Sequence, residues 1–297
     1  MARSIGLSHV VRQPDGAYVG VWGGYVLSTA FQPIFAFENG KLVPAAYEGL
    51  LRPTRNDAPI SPATFFGLVP AVDRMSVETL ARTLHLLNAG VFLDPSVMVF
   101  VNFDPSVFVD ASLADVALRD MRLVLHEAGL EPSRIVCEVT EHPTSSEATL
   151  HGFVEALRAN GFRIALDDYG SEDSDMNRVE RLKPDIVKFD ARWVTDLMGT
   201  GAGTALLSEM VEAFSARGIV TLFEGLEETW QLELAERCGV AMVQGYVVAR
   251  PEKASAFPKE RPVPTTTGPA GAVTPAPQPQ PARTGAKPFG RRPAAPG

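Results

Sequence analysis

Short β-branched and aromatic runs alternate with longer segments of helical periodicity through most of this chain. Val97–Val101 is one such run, followed after a turn by a helical pattern over 111–128 that stops at Gly129. Arg134–Cys137 is the next. A helix is expected from about Ser145, where Thr144 and Glu147 have capping-box spacing, with Leu150, Phe153, Val154 and Leu157 as its apolar face and Gly161 at its end. Phe162–Leu166, Asp185–Val187, Gly218–Phe223 and Val240–Val243 continue the series, each separated from the next by a helical segment. Strands joined through helices pair in parallel, and a parallel sheet needs helices over its faces. About seven or eight such strands favour a closed α/β barrel of the TIM-like (β/α)8 type over an open sheet.

The residues that follow the strands carry the chemistry. Glu48, Asn102, Glu138 with Glu141, Asp167 with Asp168, Lys188, Glu224 with Glu227, and Gln244 all stand at or just past the carboxyl end of an apolar run. In a parallel barrel those ends meet on one face, so residues far apart in sequence converge there. So many carboxylates in one pocket repel unless cations sit among them. Oxygen-only ligands favour Mg²⁺, Mn²⁺ or Ca²⁺ over thiolate-preferring metals. The spacing therefore predicts a divalent-metal site and leaves several metal-assisted barrel chemistries open, among them enolisation and phosphoester hydrolysis. A single acid after a strand is commonly a solvated loop residue or a helix cap; the repetition at strand after strand points to a site.

Charge divides the chain. The formal net charge is −8, yet residues 258–297 carry six Lys or Arg against one acid and 11 of the 24 prolines. The preceding body is thus at −13 and the tail at +5. Runs such as Pro275–Pro281 offer little to bury, so a disordered or polyproline-like tail is expected. The acidic balance argues against a nucleic-acid polymer held by basic surface alone. Cys137 and Cys238 are too few for a disulfide framework and lie in apolar segments, as expected of reduced core residues in the cytoplasm. No apolar stretch is long enough to cross a membrane, and the amino terminus has no targeting pattern. Gln13–Gly16 reads as a turn between two short strand-like runs.

Taken in order, the motifs resemble the EAL-domain family of cyclic di-GMP phosphodiesterases. They are Gln32-Pro-Ile34, Glu48-Gly-Leu50 with Leu51-Arg52, Val101-Asn102, Glu138-Val-Thr-Glu141, Leu166-Asp-Asp-Tyr-Gly170, Lys188-Phe-Asp190, Glu224-Gly-Leu-Glu227 and Gln244-Gly-Tyr246. The resemblance spans roughly 31–251 and implies a TIM-like barrel with one antiparallel strand. It implies hydrolysis of cyclic di-GMP to linear pGpG with two divalent cations, Mg²⁺ or Mn²⁺, and Ca²⁺ as an inhibitory ion. By position, Glu48, Asn102, Glu138 and Asp167 are implied as ligands of one metal, with Asp167 bridging to a second held by Asp168 and Glu224. Lys188 is implied to position or polarise the attacking water beside Glu224. Gln32, Leu50, Arg52, Glu227 and Gln244 are implied as substrate contacts or supports, and Glu141 as the anchor of the loop after the Asp-Asp pair. A homodimer is implied as well. The domains expected are an extension over 1–29, the phosphodiesterase over 30–257 and the tail over 258–297, which offers a ligand to an unknown protein partner or serves as a solubilising extension.

The match departs from the family in one loop above all. The family usually reads Asp-Asp-Phe-Gly-Thr-Gly-Tyr-Ser-Ser, whereas this chain reads Tyr169-Gly-Ser-Glu-Asp-Ser-Asp175 after its acid pair. Glu172 stands where the family has glycine, and three acids are added beside proposed ligands. Gly49 for alanine and Asp104 for serine are smaller departures. Two alternatives to an active enzyme stand beside it: a catalytically weak or inactive receptor for cyclic di-GMP, which the loop motivates, and a protein-interaction scaffold that uses the Pro-rich tail as a ligand for partner domains.

Overall fold

The computed structural model describes residues 9–104, 111–139, 147–171 and 176–257. The tail, Glu141, the capping residues Thr144 and Ser145, and loop residues 172–175 lie outside them.

The chain opens with a hairpin, β1 (Val10–Arg12) and β2 (Tyr18–Trp22), paired antiparallel. Its turn is the Gln13–Gly16 segment: the Gln13 N–H donates to the Ala17 carbonyl at 2.7 Å, and Asp15 Oδ1 accepts from the Ala17 N–H at 3.0 Å. Two long strands follow, β3 (Tyr25–Glu38) and β4 (Lys41–Arg55), then the short β5 (Ala58–Pro59). Helices α1 (Pro62–Leu68) and α2 (Ala71–Phe92) lead to β6 (Met98–Phe103). From there strand and helix alternate: α3 (Ala111–Ala128), β7 (Ile135–Val139), α4 (Glu147–Ala159), β8 (Arg163–Tyr169), α5 (Met176–Leu182), β9 (Ile186–Phe189), α6 (Ala191–Met198), α7 (Gly201–Ser215), β10 (Val220–Phe223), α8 (Thr229–Cys238) and β11 (Met242–Val243). A last short strand, β12 (Glu252–Lys253), pairs with β3.

Eight of these strands close a ring. β4, β6, β7, β8, β9, β10 and β11 follow one another in parallel, and β3 closes the circle by pairing antiparallel with both β11 and β4. The barrel with a single reversed strand is therefore present as expected. β3 and β4 are longer than the rest because only part of each belongs to the barrel. β4 pairs with β6 over Ala46–Glu48 and then runs on as a ribbon with β3 to Thr54. Glu48 thus lies inside a long strand rather than at its end. The sheet also continues through β2 into residues that precede the expected domain start.

The helices cover the outside by the rule of their own periodicity. On α3, Ala117, Leu118, Met121, Val124 and Leu125 are buried, and Gly129 ends the segment with φ 65°. Both cysteines are buried and free, and burial pushes the Cys137 thiol up. Among the described residues no helix is long and apolar enough to cross a membrane.

Candidate active site

The barrel interior is plugged by one layer of apolar side chains, one from every strand. Ile34, Ala46, Phe100, Val136, Ala165, Ile186, Leu222 and Met242 form a single buried cluster. Side chains on a strand alternate between faces, so the next inward position is two residues on. Those positions are Glu48, Asn102, Glu138, Asp167, Lys188, Glu224 and Gln244. On the reversed strand β3 the corresponding step runs backwards and gives Gln32. The candidate site is thus the layer stacked on the core plug, and the period of the strands selects its members.

Lys188 is the hub of that layer. It is buried, with Nζ 2.9 Å from Asp167 Oδ1 and 3.0 Å from Glu224 Oε1, and it contacts Glu138 Oε1 more closely still. Desolvation alone would lower the lysine's pKa, but Asp167, Glu138, Glu224 and Glu48 together hold it well above the ordinary range. It stays an ammonium. Burial raises Glu138 and Glu224 despite the lysine's attraction, and their acidic neighbours add to the rise.

One cation does not satisfy this cluster. Glu138 Oε1, Asp167 Oδ1 and Glu224 Oε1 share a single ammonium, that of Lys188, and Glu138 Oε2 is buried with no hydrogen-bond partner. Buried carboxylate oxygens of this kind are what a divalent cation binds, and an all-oxygen set selects Mg²⁺, Mn²⁺ or Ca²⁺. The residues therefore fit such ions. Among the described residues no three acids, histidines or cysteines stand at metal-gripping spacing, and the ammonium lies between the carboxylates instead.

The other expected residues fall in two clefts. A cleft of about 280 Å³ gathers Gln32, Glu48, Glu224, Glu227 and Gln244. Gln244 Nε2 donates to Glu48 Oε2 at 2.8 Å, although 196 residues separate them. Gln32 Nε2 donates to the Ala249 carbonyl at 3.4 Å. The loop carrying Glu227 is fixed by Gln231 Oε1, which accepts from the Glu227 and Glu228 N–H groups at 2.8 and 2.9 Å. Gly225 in that loop has φ 66°, and a Cβ there would fall 2.3 Å from that of Ala191, so only glycine fits beside Glu224. A second cleft, of about 310 Å³, takes Leu50, Arg52 and Asn102.

Asp168 sits at a break in the ladder. The β8–β9 register shifts between Leu166 and Tyr169, and Asp168 has φ 58°. A non-glycine residue in that region needs its surroundings to hold it. Tyr169 supplies an anchor, packed edge-on against Phe189, Trp193 and Phe214.

The second cleft also contains charged residues that carry no motif: Arg74, Glu78 and Arg82 on α2, with Asp104 after β6. Their spacing of four along α2 reads in sequence as an ordinary solvated helix face. Instead Glu78 and Arg82 are buried, and Arg82 Nη1 reaches the Asn102 carbonyl at 3.4 Å while its guanidinium lies 4.2 Å from the centre of the Phe103 ring. No local signal marks them.

Comparison with known proteins agrees with this geometry. The EAL domain model matches residues 26–251. PdeA of Escherichia coli, described as a probable cyclic di-GMP phosphodiesterase, is 28% identical over 153 residues, covering 51% of this chain and 20% of that protein. The EAL-domain protein YkuI of Bacillus subtilis, solved with cyclic di-GMP and calcium, superposes with a TM-score of 0.64 at 25% identity, covering 76% of this chain and 56% of that one. BlrP1 of Klebsiella pneumoniae, solved with manganese and cyclic di-GMP, gives 0.67 at 25% identity, covering 77% and 56%. The chain thus spans a fifth of PdeA and just over half of each solved chain. With a match that runs through all eight barrel strands and every member of the polar layer, this chain belongs to the EAL-domain family.

Proposed function

We propose that the protein hydrolyses cyclic di-GMP to linear pGpG and so lowers the level of that second messenger. The observation that carries this reading is the polar layer: carboxylates crowded around one buried lysine, with Glu138 Oε2 left without a hydrogen-bond partner, in a barrel whose relatives were solved with cyclic di-GMP. Glu48, Asn102, Glu138 and Asp167, with Asp168 and Glu224, would hold two divalent cations, Mg²⁺ or Mn²⁺. Such cations, when bound, neutralise phosphate charge and acidify water.

The chain's own residues do the rest. Lys188, kept protonated, orients the attacking water and offsets charge building on the phosphoryl oxygens. Attack on one phosphorus breaks one P–O ester bond, leaving a phosphomonoester on one nucleotide and a hydroxyl on the other. Glu224, 3.0 Å from the Lys188 ammonium, is placed to take the proton the water gives up. Arg52 holds a substrate phosphate by its planar fork. Gln32, Leu50, Glu227 and Gln244 place the nucleotides, and Glu141 anchors the loop after the acid pair. The catalytic body is residues 30–257, working as a cytoplasmic homodimer, with the basic tail free to meet a protein partner.

Purified protein with Mg²⁺ or Mn²⁺ should release pGpG from cyclic di-GMP, and Glu48→Ala should abolish the release. Tight binding without turnover under both ions would reject hydrolysis and leave a receptor, the second reading, which the altered sequence after Tyr169 favours.

A further inference from the structure

Helix α2 buries three polar side chains along one stripe: Arg82, His85 and Asn88, spaced by three, all turn inward. Asn88 is fully buried and grips the backbone of the amino-terminal hairpin. Its Oδ1 accepts from the Tyr18 N–H at 2.8 Å, and its Nδ2 donates to the Tyr18 carbonyl at 2.9 Å and to Thr29 Oγ1 at 3.2 Å. With that bond accepted, the Thr29 hydroxyl keeps its own proton for His85 Nδ1, 2.9 Å away. His85 in turn fills the space that Gly49 leaves by having no side chain. A run of contacts therefore leads from Tyr18, outside the stretch that the EAL domain model matches, to the residue after Glu48.

Glu48 stands where β4 leaves the barrel. It is the last residue of that strand to pair with β6, opposite Phe100, and beyond it the strand runs on as a ribbon with β3. Its carboxylate is held from the front by Gln244, whose Nε2 donates to Oε2. Glu48 and Gly49 point to opposite faces of the strand, so the His85 ring stands behind the carboxylate. An apolar side chain would fill that space without the cost of burying polar groups. The hydrogen bonds through Thr29 and Asn88 add a fixed ring orientation. A metal ligand depends on such support, because it must stay within about 0.5 Å of its productive position. We propose that His85 is a positioning residue for Glu48: seated behind Gly49 and tied through Thr29 and Asn88 to the amino-terminal hairpin, it sets the place from which the Glu48 carboxylate reaches a divalent cation. This rests on the proposed function, in which Glu48 is a metal ligand.

Calorimetry on the full chain measures Mn²⁺ affinity, with thermal melts of the same proteins alongside. His85→Ala is expected to weaken Mn²⁺ binding by about 10- to 100-fold, and Thr29→Val, which keeps the core filled and removes the hydroxyl, by a smaller factor. The double variant Gly49→Ala/His85→Ala returns a methyl group to the vacated space and should recover part of the affinity. In turnover of cyclic di-GMP, the Mn²⁺ concentration for half-maximal rate should rise in His85→Ala by the same factor as the dissociation constant, while kcat at saturating Mn²⁺ stays close to that of wild type. Leu157→Ala, on the buried face of α4, controls for lost stability: it should lower the melting temperature and leave Mn²⁺ affinity unchanged. If His85→Ala behaves as Leu157→Ala does, residue 85 is merely structural and the inference is overturned. Wild-type Mn²⁺ affinity in Thr29→Val overturns it too, and that variant decides the matter even where His85→Ala fails to fold. Wild type that binds no Mn²⁺ overturns the proposed function along with it.

Discussion

Restoring the family's alanine at position 49 is expected to damage this protein. A Cβ on Gly49 would stand 2.8 Å from His85 Cγ and 2.9 Å from His85 Cβ, closer than packed carbons approach. These are the root atoms of a side chain on α2, not a flexible tip. The ring cannot swing aside freely either, because His85 Nδ1 hydrogen-bonds Thr29 Oγ1 at 2.9 Å. Nor can α2 slide away at no cost: Asn88 Oδ1 accepts from the Tyr18 N–H at 2.8 Å, and its Nδ2 donates to the Tyr18 carbonyl at 2.9 Å. Overpacking of a held core site costs about 1–3 kcal/mol. At about 2–4 °C per kcal/mol for a body of this size, Gly49→Ala should melt roughly 2–12 °C below wild type. Turnover should fall as well, since Glu48 is the adjacent residue and Arg82 on the same helix reaches the Asn102 carbonyl. Thermal melts of Gly49→Ala, His85→Ala and the double variant separate packing from other causes. The double variant should be less destabilised than the sum of the two by about 1 kcal/mol or more, because the smaller residue at 85 vacates the space. A Gly49→Ala protein that melts with wild type, or costs that simply add, would refute the argument.

Three further outcomes follow from the same contacts. Lys188→Met strips one buried and two partly buried carboxylates of their ammonium, which should lower stability by about 3–5 kcal/mol without added metal; Mn²⁺ should raise its melting temperature more than it raises that of wild type, and equal shifts in the two proteins would count against the cluster. Glu78 titrates near 4.5 when unfolded and about 7 when folded, so its contribution to stability falls as pH rises from 4.5 to 7, by roughly 1.4 kcal/mol per unit at most. Glu78→Gln should therefore gain on wild type across that window and run parallel to it outside, as denaturant titrations at several pH values would show. His85 acts in the opposite sense: burial lowers it from 6.5 to about 3, so the stability it contributes is complete above 6.5 and is lost as pH falls through that range.

Much of the site was legible because it is local. Each of the seven parallel barrel strands reads as an apolar residue followed two positions later by a polar one, as in Ala46 and Glu48, Val136 and Glu138, or Ile186 and Lys188. Alternation in a strand is a property of a few adjacent residues, so it survives in the bare sequence. The helix over 111–128 and its stop at Gly129 were legible for the same reason.

The α2 face was not. Arg74, Glu78 and Arg82 have the spacing of a solvated ion-pair ladder, and only the packing of α2 against β6 turns two of them inward. The meaning of Gly49 was hidden likewise, because the atom that excludes a methyl group there belongs to His85, on another element.

By itself the sequence determined the barrel, its strand order of apolar and polar residues, and the list of side chains in the polar layer. The tertiary structure decided which of them touch: that Gln244 meets Glu48 across 196 residues, that one lysine stands among three carboxylates, and that a buried glutamate lines the cleft of Arg52. The division has a physical cause. Which face a side chain takes is fixed by the backbone over two or four residues, whereas which side chains meet depends on how the barrel closes and how each helix is seated on it.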